Sequence, residues 1–120
     1  MLEMVVTAAR AADDKKGENT LVLDVSEVLS ITGWFVITSG TNPRQVRTIA
    51  EEVEAQLKAE HELAPFRVEG LDGLRWVLLD YGDFVVHVFH EEERDYYQLE
   101  RLWADVPTVA WQDEDTAEAG

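Results

Sequence analysis

Cysteine is absent from this 120-residue sequence, which excludes a disulfide framework, a thiolate metal site and a cysteine nucleophile. Long apolar runs are also missing, because no stretch approaches the roughly 18 residues that a membrane-spanning helix needs. The first residues, "MLEMVVTAARAADDKK", have neither the basic start nor the sustained apolar core of a signal peptide. We therefore predict a cytoplasmic protein with no membrane contact.

Basic residues are scarce in the chain. Its 10 lysines and arginines stand against 25 aspartates and glutamates, so the formal net charge at pH 7 is −15. Such a charge repels phosphate backbones, and we expect no direct nucleic-acid specificity. Residues 61–120 hold 15 of the acidic residues and 4 of the basic ones. This half of the chain is where a basic partner would be attracted.

The length of 120 residues and the hydrophobic content of 46% are those of one soluble domain. Apolar periodicity predicts a short helix over residues 2–12, a long helix capped by Thr41 or Asn42, and a closing helix over 91–103. The closing helix is expected to place on one face Tyr96, Leu99 and Trp103. Runs of β-branched and aromatic residues predict five strands, at 20–26, 33–40, 65–70, 74–82 and 83–90.

The order αββαβββα predicts an α/β fold, with a mixed five-stranded sheet flanked by helices and a βαβ crossover between the second and third strands. The domain is expected to span residues 1–104. Residues 105–120 contain a proline and an acidic cluster, which predict a disordered tail. Within this tail, Trp111 either packs back on the domain or binds something else.

The stretch "DYGDFVVHVFH", residues 80–90, carries the residues most suggestive of chemistry. His87 and His90 are three apart, so on a strand they point to opposite faces and do not form a metal site. If the strand ends near residue 89, His90 instead becomes a helix-capping or loop residue. Asp80 and Asp83 flank a glycine, a pattern typical of a hairpin turn, although the same carboxylates are also suited to a surface role.

Residues 38–46, "TSGTNPRQV", lead from a strand into a helix N-terminus, a geometry able to hold an anion. The lysine of a P-loop and the three glycines of a dinucleotide fingerprint are missing, which favours a simple connection. No paired D-x-D or other catalytic motif appears, so we predict no catalytic residues, metal or cofactor. A small nucleotidyltransferase-like enzyme that uses this corner for phosphate remains one alternative.

Two longer strings are more informative than their parts. "RWVLLDYGDFVVHVFHEEERDYYQLERLW" and "LDVSEVLSITGWFVITSGTNPRQVRTIAEEVE" resemble the two halves of the ribosomal silencing factor family, RsfS, whose members are also called Iojap-like proteins. The resemblance covers roughly residues 2–104, in the expected order. The chain departs from it at Gly33 and Trp34, where many relatives have an aspartate and a small residue.

The resemblance implies a nucleotidyltransferase-like fold without catalytic carboxylates. It also implies binding to the large ribosomal subunit through ribosomal protein uL-fourteen, which sterically blocks subunit joining and represses translation when nutrients are limiting. Relatives resemble homodimers when free, so a self-associating module is the other alternative. Carried onto this chain, the docking surface is expected at Trp76, Leu78, Asp80, Tyr81 and Asp83, with Glu69, His87 and Glu100 as neighbours.

Overall fold

The structure is a computed structural model that describes residues 2–112. Its helices and strands are, in chain order, α1 (Leu2–Asp14), β1 (Glu18–Asp24), β2 (Trp34–Gly40), α2 (Pro43–His61), β3 (Arg67–Glu69), β4 (Trp76–Asp80), β5 (Phe84–His90), α3 (Glu91–Tyr97) and α4 (Leu99–Leu102). The predicted α/β class and the five predicted strands are confirmed. The closing helix is divided into α3 and α4.

The five strands form one mixed sheet in the order β1-β2-β5-β4-β3. Strands β2 and β5 run parallel, and the other neighbouring pairs are antiparallel. Helix α2 is the predicted crossover from β2 to β3. It places β3 at the edge of the sheet, and β4 and β5, which follow in the chain, lie between β3 and β2. Residues 80–90 therefore lie on two central strands of the sheet.

Helices α1 and α2 together cover one face of the sheet. The inward residues of α2 recur at helical spacing and are fully buried: Val46, Ile49, Val53 and Leu57. Alanines on α1 let its backbone lie close to the sheet and to α2. From the strands, this aliphatic core receives mainly valines and leucines, including Val36, Val77, Leu79, Val86 and Val88.

The opposite face, here called the aromatic face, has a smaller core. Phe35 and Phe89 are its largest buried side chains. The chain after β5 covers part of it with Leu99, Trp103 and Val106. Trp76 and Leu78 on β4 remain only half-buried. One half of this face is thus covered by the chain after β5, and the other half, on β4, is open to solvent.

The closing helix differs from its prediction. Gln98 adopts a left-handed backbone conformation, φ +48°, and ends α3, with its amide donating to the Arg94 carbonyl at 2.8 Å. Because the helix is broken at this residue, Leu99 and Tyr96 do not share a face: Leu99 packs on the aromatic face while Tyr96 is 79% exposed. The predicted shared face of Tyr96, Leu99 and Trp103 is therefore wrong.

The chain after α4 also departs from the prediction of a tail disordered from residue 105. The segment 106–111, here called the C-terminal strap, runs beside β1, where the Asp24 amide donates to the Pro107 carbonyl at 2.9 Å. The Val109 amide donates to the Val22 carbonyl at 2.8 Å, and Trp111 Nε1 donates to the Thr20 carbonyl at 3.0 Å. An edge strand offers unpaired backbone groups, which these contacts satisfy. Residues 113–120 lie outside the described residues.

Candidate functional site

The open half of the aromatic face brings together five of the eight predicted docking residues. Trp76, Leu78 and Asp80 alternate along β4, so their side chains point to the same face. In the sheet, Leu78 pairs with His87 of β5 on one side and with Glu69 of β3 on the other. We call these five residues the docking face, after the role that the sequence analysis predicts for them.

Aromatic rings lead outward from the core beside the docking face. The Trp76 ring stacks on the buried Phe89 at a centroid distance of 4.7 Å and contacts the Tyr97 ring at 5.1 Å. Tyr97 meets Tyr96 at 5.0 Å, and the two tyrosines are 49% and 79% exposed. Residue types alone left open whether Tyr97 packs in the core or faces a partner, and neither tyrosine was among the expected docking residues, because only the tertiary fold brings α3 beside β4.

His87 supports Trp76 from below. It is 5% exposed, and its Nδ1 accepts a hydrogen bond from Trp76 Nε1 at 3.2 Å. Burial lowers the pKa of His87 to about 4, so the ring is neutral at pH 7 and keeps this acceptor. The ring also meets the edge of Phe35 at 4.8 Å. His87 therefore positions the indole of Trp76.

His90 has a different environment. It ends β5 and caps α3, and its Nδ1 accepts from the Glu92 amide at 3.2 Å. Of the two alternatives open for His90, capping or loop, the structure shows the cap, and the two histidines do not share a site. Among residues 2–112, no three histidine, aspartate or glutamate side chains come together to hold a metal ion.

Tyr81 does not lie on the docking face, which corrects the expectation for this residue. It is 3% exposed within the aliphatic core, where its ring stacks on Phe84 at 4.9 Å. Burial raises the pKa of Tyr81 above its ordinary value, and the charge of Glu54 adds to the effect. Because side chains alternate along the chain here, Asp80 and Tyr81 point to opposite faces.

Asp80 takes part in the turn, as one of the two sequence-based interpretations expected, while its surface role stays a prediction. Its Oδ1 accepts from the Gly82 amide at 2.8 Å, and its Oδ2 pairs with Arg67 at 3.3 Å. Gly82 has φ +84°, and a Cβ there would lie 2.7 Å from the Phe66 ring, so the turn requires glycine. Asp83 is exposed at the same corner, beside but not on the docking face.

Glu100 belongs to a separate cluster at the far end of the sheet. Its Oε2 accepts from Arg94 Nε at 3.1 Å, and Arg94 is 5% exposed. The guanidinium also donates to the carbonyls of Glu18 and Asn19 at 2.9 and 2.6 Å. These contacts make Glu100 part of the anchor that fixes α3 and α4 to β1.

Two hollows flank Leu78 on the docking face. The larger, about 350 Å³, is also lined by Asp80 and His87, and its rim carries Phe66 and Ile31, which are 81% and 82% exposed. The smaller, about 300 Å³, lies between Glu69, Gly70, Trp76 and Leu78. Exposed apolar side chains beside open hollows are typical of a protein-binding surface.

The strand-to-helix corner at residues 40–45 is occupied by its own side chains. Asn42 Oδ1 accepts from the Gln45 amide at 2.8 Å, while Gln45 Oε1 accepts from the Thr41 amide at 2.7 Å. Gln45 Nε2 donates to the carbonyls of Lys15 and Lys16. These bonds use donors that a bound phosphate would need, which favours the interpretation as a connection.

The fold and the site define a class: a small α/β domain with a mixed sheet, one face of which is half open and lined by aromatic and acidic side chains. A family model described as "Ribosomal silencing factor during starvation", RsfS, matches residues 1–120. The chain belongs to the RsfS family. Within residues 2–112, no helix is long and apolar enough to cross a membrane.

Relatives and solved structures agree with this assignment. The ribosomal silencing factor RsfS of Bacillus subtilis is 46% identical over 100 residues, covering 83% of this chain and 84% of that one. A crystal structure of protein CV0518 from Chromobacterium violaceum superposes with a TM-score of 0.82 at 36% identity, covering 87% and 86% of the two chains. A mouse relative named "Mitochondrial assembly of ribosomal large subunit protein 1" is 29% identical, covering 85% of this chain and 44% of its own length.

Proposed function

We propose that this protein is a ribosomal silencing factor that binds the large ribosomal subunit through ribosomal protein uL-fourteen. Bound there, it sterically blocks joining of the small subunit and represses translation under nutrient limitation. The observation that carries the proposal is the half-open aromatic face on a chain of the RsfS family. The name of the mouse relative, which refers to the large ribosomal subunit, supports the choice of partner.

The chemistry of the docking face suits a basic protein surface. Trp76 offers a large apolar ring with its nitrogen already hydrogen-bonded to His87, so docking need not satisfy that donor. Carboxylates of Glu69 and Asp80 border the ring and the hollows. Acidic groups around an aromatic anchor raise the association rate with a basic partner and fix its orientation.

The mechanism we propose is occlusion, without chemical turnover. The protein needs only to occupy a surface that the small subunit would otherwise contact. Helices α1 and α2 lie behind the sheet, on the side away from the docking face. They form the bulk that would project from the large subunit and exclude the small one.

The test is co-sedimentation of the purified protein with large ribosomal subunits. Because buried aromatic anchors dominate such interfaces, Trp76→Ala should weaken binding by about tenfold or more. Asp80→Lys combined with Asp83→Lys should weaken it similarly by reversing local charge. A charge-matched control is Asp13→Lys combined with Glu51→Lys, at exposed positions on α1 and α2.

Two results would contradict the proposal. If the wild-type protein failed to sediment with large subunits, the proposed function would be wrong. If the Asp80/Asp83 variant and the control variant bound equally, the docking face would not be the contact surface.

A homodimer of the free protein is proposed to use the same face. Persistence of a dimer in the complex, measured by sedimentation velocity, would show that dimerisation and ribosome binding do not compete.

A further inference from the structure

Arg67 lies on the edge strand β3, at the border of the docking face, and pairs with a carboxylate beside each hollow. Its Nη2 is 3.3 Å from Asp80 Oδ2, which lines the larger hollow. Its Nε is 3.1 Å from Glu69 Oε2, which lines the smaller one. A single guanidinium thus pairs with two carboxylates, those of Glu69 and Asp80, and balances only one of their two negative charges.

The arginine is held loosely. Its side chain is 62% exposed, and the side chains of Glu69 and Asp80 are 56% and 26% exposed. Ion pairs exposed to this degree contribute little to stability, because water screens the charges and the long side chain loses freedom. Arg67 also lies on β3, a three-residue strand at the edge of the sheet. Its side chain is therefore free to move into solvent.

We propose that Arg67 is a specificity-determining residue that occupies, in the free protein, the place of a partner's cation. The inference rests on the proposed function, since the partner is a basic protein surface that presents arginine or lysine to Asp80 and Glu69. Docking replaces one cation with another at the same carboxylates. A neutral partner surface gains no charge interaction there. It would leave Asp80 and Glu69 paired with Arg67 and would also shield these carboxylates from water.

The proposal predicts an unusual sign. Removing a side chain from a binding surface normally weakens binding, whereas Arg67→Gln removes a competitor and should strengthen binding of a cationic partner. An exposed pair is worth little, so the expected gain is about two- to fivefold. Arg67→Lys keeps the competing cation and should bind within about twofold of the wild-type protein.

A tetra-arginine peptide is the probe that decides the inference, titrated against the full chain while the backbone amide signals of β3 and β4 are followed by NMR. Arg47→Gln is the matched control, because it makes the same charge change at an exposed position of α2 on the other side of the sheet. Arg67→Gln should bind the peptide about two- to fivefold more tightly than either the wild type or this control. The difference should fall towards zero in 0.5 M salt.

Equal peptide affinity of Arg67→Gln and Arg47→Gln would overturn the inference. So would a gain of dimers by Arg67→Gln without a gain of peptide affinity, which would assign Arg67 to protection of the β3 edge. Large ribosomal subunits form a second arm, in which the same order of variants is expected. If the wild type binds no subunits, the proposed function fails, while the peptide result still decides the role of Arg67.

Discussion

The two faces of the sheet differ in what covers them and in what they are made of. The face under α1 and α2 is lined mainly by buried valine, leucine and alanine side chains, with Tyr81 and Phe84 as its stacked aromatic pair. The other face carries phenylalanine, tryptophan and histidine, and its β4 half is open. Aliphatic packing needs no partner beyond the helices, whereas a half-exposed tryptophan over a hydrogen-bonded histidine is an arrangement that a partner can complete.

Leu78 and Leu79 test this difference most directly, because they are consecutive on β4 and point to opposite faces. Leu79 is fully buried, so Leu79→Ala should cost about 2–5 kcal/mol of unfolding free energy and lower the melting temperature by roughly 10 °C or more. Leu78→Ala should cost about 1 kcal/mol or less, since that side chain is half-buried. Urea denaturation measures both.

Binding to large ribosomal subunits should follow the opposite order. Leu78→Ala is expected to weaken binding several-fold, while Leu79→Ala, assayed well below its melting temperature, should bind like the wild type. If the two variants lost stability to the same extent, the contrast between the faces would be mistaken. Equal losses of binding would mean that the open half is not the contact surface.

The next largest expected effect is the pH dependence of stability. It arises from His87, on the aromatic face. Burial lowers the pKa of His87 to about 4 in the folded protein, below its ordinary value of 6.5. Between these values the unfolded chain binds more protons, so the His87 contribution is full above about pH 6.5 and is lost as pH falls towards 4. The expected slope is roughly 1 kcal/mol per pH unit.

Denaturation of His87→Gln at pH 7.5, 6 and 5 measures this contribution, because glutamine does not titrate. The variant should lose less stability than the wild type over this range. His61→Gln, at the end of α2, controls for the loss of a histidine elsewhere in the chain. A wild-type slope retained in His87→Gln would show that His87 is not the group responsible.

The smallest expected effect concerns the C-terminal strap. This segment pairs with the edge of β1 and packs Val106 and Val109 against the cores on the two faces of the sheet. Trp111→Phe removes the donor to the Thr20 carbonyl and should cost about 1 kcal/mol or less. Hydrogen exchange should report it locally, as faster exchange of the Asp24 amide that donates to Pro107. Unchanged exchange at Asp24 would indicate that the strap is held by its backbone bonds alone.

Much of the fold could be predicted from local patterns. The spacing of Val46, Ile49 and Val53 predicts α2, and the Asn42 cap is confirmed, because both depend on neighbouring residues in the chain. The break at Gln98 could not be predicted, since no glycine or proline marks it. The helical run is interrupted there by the buried anchor between Arg94 and Glu100, which joins α3, α4 and β1.

The candidate site follows the same division. Alternation along β4 is enough to place Trp76, Leu78 and Asp80 on one face and the neighbouring Leu79 and Tyr81 on the other. It does not say which face is open. That depends on where α1, α2 and the chain after β5 come to rest, which is a matter of long-range packing.

By itself, the sequence determined the strands, the long helix, the acidic excess and membership of the RsfS family, because each is written in residue types and short spacings. Only the tertiary structure decided that Tyr81 is buried, that Tyr97 stands beside Trp76, and that Arg67 bridges two carboxylates. These contacts join residues from different strands and helices. Their geometry exists only once the strands have paired and the helices have covered one face.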